Sequence, residues 1–196
     1  MHKNIVALLF ISLSYSLYSQ TDHSIWDVVT KVDANHYTIT IPERWKKIIT
    51  AEGAAVDYKF DVSGVGIPAM INSSPIYASF TIAQMSGDKL SQAREQAISE
   101  FTTFYDRVSE PGYNYDTTTA TIKTGETCTV LHTRFYRRSK VSNFSKYYMA
   151  IYDPTAKNTF LLNLNFQYKD PNYEIERSAQ FTSYALQIFA HFELRN

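Results

Sequence analysis

The chain has 196 residues, with 19 basic and 19 acidic side chains and a formal net charge of zero. That length suits one domain with a sizeable core, and the charge balance gives no broad electrostatic draw toward nucleic acid or anionic lipid. One cysteine, Cys128, excludes an intrachain disulfide framework, and 15 Tyr with 12 Phe exclude a disordered composition.

Residues 1–19 place Lys3 ahead of an apolar run from Ile5 to Leu13, then small and polar residues up to Ser19. Basic, apolar, small is the order of a secretory signal peptide. The run is too short and too interrupted to span ~30 Å of hydrocarbon. Cleavage after Ser19 is expected, leaving an exported protein, periplasmic or extracellular, that needs no membrane once the leader is gone. Residues 20–35 read as a polar lead-in anchored by Trp26, Val28 and Val29, and residues 36–196 as a single α+β domain.

Tyr37, Ile39 and Ile41 alternate with Thr38 and Thr40, the pattern of a half-buried strand, and Pro42 stops it. Val56, Tyr58, Phe60 and Val62 alternate again until Gly64, Gly66 and Pro68. Residues 76–84 form the next predicted strand. Then Leu90, Ala93, Ala97, Phe101, Phe104 and Val108 recur every three or four residues, one stripe of an amphipathic helix with Asp88 as its cap. Strands at 116–123 and 126–137 follow across Thr124-Gly125, and strands at 144–153 and 158–168 across Asp153-Pro154-Thr155. Links this short demand antiparallel pairing. The strand at 144–153 is apolar on both faces and is expected to be interior. A closing helix begins at Pro171 behind Asp170, with Ile175, Ala179, Thr182, Leu186 and Phe189 as its inner stripe and Phe192 extending it.

Three stretches carry a family resemblance: Tyr37-Thr38-Ile39-Thr40-Ile41-Pro42-Glu43-Arg44-Trp45, the helix after Ala78-Ser79-Phe80, and Ala185-Leu186-Gln187-Ile188-Phe189-Ala190-His191-Phe192. With this element order the chain resembles the PsbP-like family over about residues 36–194. The resemblance implies an α/β/α sandwich, an antiparallel sheet covered by helices on both faces. It also implies an accessory or assembly role through binding other proteins, without catalysis. It carries over no metal site.

The residues themselves offer little catalytic pattern. No G-x-S-x-G elbow is present, and Gly64 and Gly66 are too few for a phosphate cradle. Cys128 and His132 share a strand face, but ~13 Å between their Cα atoms rules out a direct pair or a shared metal. Cys128 reads as a small buried apolar residue and His132 as a sheet histidine satisfied by a neighbour. Asp57 and Asp61 are equally far apart and mark a solvated face. Asn72 and Asn143 head N-glycosylation triplets in predicted loops. Arg134, Arg137, Arg138 and Lys140, interleaved with Phe135 and Tyr136, read as the charged end of a hairpin. If that end has a role, Arg134, Tyr136, Arg137, Arg138 and Lys140 are the partner-binding candidates.

The expectation is therefore an exported, non-enzymatic binding or accessory protein with a protein partner in the cell envelope and no cofactor, metal or nucleic acid. Two alternatives stay open. One is a carrier of a small apolar ligand in an aromatic pocket, which requires a cavity of several hundred Å³. The other is a hydrolase assembled from distant segments around His132.

Overall fold

A computed structural model describes residues 29–42, 45–48, 58–61, 77–104, 115–137, 142–168 and 171–195. Ten strands and two helices lie among them. The strands are β1 (Val29–Asp33), β2 (Tyr37–Pro42), β3 (Lys46–Ile48), β4 (Tyr58–Asp61), β5 (Tyr77–Ser86), β6 (Tyr115–Thr121), β7 (Thr127–Arg137), β8 (Ser142–Asp153), β9 (Asn158–Tyr168) and β10 (Phe192–Leu194). The helices are α1 (Leu90–Phe104) and α2 (Pro171–Ala190). The leader, Asp57, the Gly64–Gly66 turn, Asn72, Asp170 and Val108 lie outside the described residues.

Seven strands form one sheet in the order β3-β4-β5-β9-β8-β7-β6, and three form a second in the order β1-β2-β10. Every pairing among the described strands is antiparallel. The short links do what their length requires. Gly125 takes a positive φ of 100° in the β6–β7 turn, where its missing Cβ removes the steric penalty. Asp153 accepts a bond from the Thr155 amide at 2.8 Å in the β8–β9 turn. Asp88 caps α1 as its sequence predicts, its carboxylate 3.2 Å from the Leu90 amide.

Neighbouring strand residues point to opposite faces. On β8, Tyr147 and Met149 belong to the large cluster with Phe80, Leu162, Leu164 and Phe166, into which α2 inserts Phe181, Tyr184, Ala185, Ile188 and Phe189. Tyr148 instead meets Leu131, Leu161 and the α1 residues Ala97 and Ile98. β8 is thus interior and buried to both sides, as its doubly apolar pattern predicts. The small sheet joins the large cluster through Tyr37, whose ring centroid lies 5.1 Å from both Phe160 and Phe192.

Four expectations are corrected. Residues 29–33, read as polar lead-in, are a strand that pairs with β2 along its whole length. The strand at 37–42 belongs to a separate sheet and not to the main one. Phe192 starts β10 and does not extend the helix; Phe192 pairs with Ile39. The inner face of α2 is rotated by about one residue. Ala179 is exposed and Thr182 and Leu186 are half-buried, because Phe181 and Tyr184 bury far more apolar surface on the core side.

Candidate functional site

Two features concentrate chemistry, and they use opposite sides of the same strands. The first is a polar chain across three strands. The β6–β7 register sets Asp116 opposite His132, and the β7–β8 register sets Ser145 diagonally beside it. His132 Nε2 lies 2.7 Å from Ser145 Oγ, and Nδ1 lies 3.3 Å from Asp116 Oδ1. A carboxylate only accepts, so Nδ1 presents an N–H to Asp116, and Nε2 shares the second hydrogen bond with the Ser145 hydroxyl. Arg134 donates from Nη2 to the other Asp116 oxygen at 2.6 Å. The imidazole also stacks on the Tyr147 ring, 4.1 Å away and 9° from parallel. The hydrogen bond from His132 holds the Asp116 carboxyl below its usual range, against the opposing effect of burial, and the nearby charges of His132 and Arg134 add to it.

The connectivity is that of a Ser-His-Asp triad. Its setting is different. Ser145 is 0% exposed and His132 2%. Ser145 lies inside β8 between two paired strands, where its amide belongs to the sheet ladder. As arranged, the chain of bonds satisfies buried polar groups across three strands. The expected role of His132, a sheet histidine satisfied by a neighbour, agrees with this geometry. Ser145 and Asp116 were missed. The Thr124-Gly125 turn contained the signal for Asp116, since counting outward from it pairs 116 with 132.

Cys128 belongs to the large cluster, and burial, helped by the Glu126 charge, raises its thiol to about 11. Among the described residues no group of three or more His, Cys, Asp or Glu is placed to hold a metal. Of the basic cluster, Arg134 is bound to Asp116; the side chains of Tyr136 and Arg137, and all of Arg138 and Lys140, lie outside what the structure describes. Asn143 is not in a loop. It is the second residue of β8 and 3% exposed, so the folded chain cannot present it for glycosylation.

The second feature is a cavity of about 640 Å³ between α1 and the β6–β9 surface. Its cause is local. Leu90, Ala93, Arg94 and Ala97, spaced as one helical face, look onto Thr129, Leu131, Tyr148, Ala150 and Leu161. Alanine opposite alanine and threonine leaves space that larger side chains would fill. Tyr152 and Glu126 close the end nearest the β8–β9 hairpin, and Leu131 and Tyr148 floor the other.

No protein-family model and no curated protein matches the chain. Among solved structures, LpqN, involved in cell envelope biogenesis of Mycobacterium tuberculosis, aligns with 86% of this chain and 91% of its own at 16% identity and a TM-score of 0.47. The Ran-binding protein Mog1p of Saccharomyces cerevisiae aligns with 85% of this chain and 95% of its own at 10% identity and a TM-score of 0.52. Identity this low speaks to architecture alone: the chain shares the fold of Mog1p, an antiparallel sheet with helices.

Proposed function

We propose that this chain is an exported, non-enzymatic binding protein of the PsbP-like α/β/α kind, and that the space under α1 is its binding site. The cavity is the observation that carries the reading. At about 640 Å³ it falls within the ~300–1,000 Å³ of small-ligand sites, and its floor is apolar and aromatic. The three-layer architecture is supported by the contrasting neighbours of Tyr147 and Tyr148, which put α2 and α1 against alternate side chains of one strand. Export is supported by the leader pattern of residues 1–19. The non-enzymatic reading is supported by the complete burial of Ser145.

A single-chain alkanol below its micelle concentration tests the site by calorimetry. Binding is expected, and Ala150→Phe, which fills the cavity from a half-buried position on β8, is expected to abolish it while circular dichroism shows the fold retained. Failure of the alkanol and of its charged analogues of equal chain length to bind the wild-type chain overturns the reading. Covalent labelling of Ser145 by a fluorophosphonate would overturn its non-enzymatic part.

A protein partner in the cell envelope is the second reading. It is favoured by β6, the outermost described strand of the seven-stranded sheet, which presents Tyr115 half exposed beside the Asp116–Arg134 pair. Crosslinking in the native envelope fraction tests it: Arg137→Glu with Arg138→Glu should remove a specific adduct, and an unchanged adduct pattern counts against it.

A further inference from the structure

We propose that the cavity under α1 takes a single-chain zwitterionic amphiphile of the lysophospholipid class, with its phosphate on Arg94, its ammonium on Glu126 and its tail over Leu131, Tyr148 and Leu161. The inference rests on the binding-protein reading above and adds the chemistry of the occupant.

On α1 the residues lining the cavity are Leu90, Ala93, Arg94 and Ala97. Ala93 and Ala97 are buried, and Arg94 is exposed, so its guanidinium stands at the cavity's rim. It forms no ion pair with any described carboxylate. Glu126 lines the same cavity and forms no ion pair with a described cation either. One cation and one anion therefore border a single space without neutralising each other. A ligand carrying both charges satisfies both, whereas a simple anion or cation leaves one of them opposed by a like charge.

The order of groups along the cavity matches the order of groups in the ligand. Glu126 and the Tyr152 ring lie at the hairpin end, which suits an ammonium through charge and ring face. Arg94 lies one turn into the helix from Leu90, where its fork suits a phosphate. Beyond it Ala97, Leu131, Tyr148 and Leu161 provide apolar wall for an acyl chain. The seven helical steps from Leu90 to Ala97 span ~10 Å, enough to separate a head group from the start of a tail.

Calorimetry with four probes of equal chain length tests this: lysophosphatidylethanolamine, an alkyl phosphate, an alkylammonium and an alkanol, each below its micelle concentration. The zwitterion is expected to bind about tenfold or more tighter than the alkanol. Arg94→Gln should weaken zwitterion and alkyl phosphate about three- to tenfold and should not weaken the alkylammonium, which loses an opposing like charge. Glu126→Gln should weaken zwitterion and alkylammonium by a similar factor and should not weaken the alkyl phosphate. Both side chains are exposed, so neither variant threatens the fold. Equal affinity for zwitterion and alkanol, or variants that bind all four probes as the wild type does, would overturn the head-group assignment while the binding-protein reading stands. Failure of all four probes to bind would overturn both.

Discussion

His132 is the residue on which most depends. It is buried, bonded at both nitrogens and stacked on Tyr147, so its removal empties a site and takes away the bond to the buried Ser145 hydroxyl. His132→Ala should cost about 2–4 kcal/mol in urea unfolding, because a buried unpartnered hydroxyl and a cavity add. Asp116 supplies a pH dependence of known sign. Its folded-state pKa lies below the ordinary 3.8, so its contribution is present above that value and lost as the pH falls through the lower one. The melting temperature of the wild type should therefore fall more steeply below about pH 4 than that of Asp116→Asn. Cys128 should stay unmodified by a maleimide in the native protein at neutral pH and react on unfolding, since its thiol is buried and raised to about 11. The sequence made Cys128 legible as a buried apolar residue because a lone cysteine amid strand alternation has few other roles. It did not make Ser145 legible. Nothing local marks a serine that joins a polar chain only through the register of two neighbouring strands.

At the scale of elements, the strands from Tyr77 to Tyr168 were readable because each is long enough to show a period of two and is bounded by a turn with definite chemistry. β3 and β10 have three residues each, too few for any period, and their pairing is decided by the strands they meet. The phase of α2 was misjudged for a different reason. A stripe through Ala179 and a stripe through Phe181 both have helical spacing, and only the packing surface chooses between them. The two phases separate by experiment. Ala179→Glu should change stability by less than about 0.5 kcal/mol, since the position is exposed. Ala185→Glu should unfold or severely destabilise the chain, since that position is fully buried and would hold an unpaired charge. The cavity under α1 was likewise anticipated only as a requirement of a ligand carrier. Its existence follows from Ala93, Ala97 and Ala150 coming face to face, a relation between elements that no stretch of sequence contains.

At the scale of the whole molecule, the small sheet ties together the two ends of the described chain. β10 pairs with β2, the Arg195 amide donates to the His36 carbonyl at 2.9 Å, and the Arg195 guanidinium meets Asp33 at 2.7 Å. A chain stopped at Ala190 keeps α2 but loses β10 and Phe192, and should lose several kilocalories per mole of stability, about 3–5 from the phenylalanine alone. Contacts across some 150 residues close late and slowly. Until β10 docks, β2 has a partner on one side and a bare row of backbone donors and acceptors on the other, a template that a second copy could occupy.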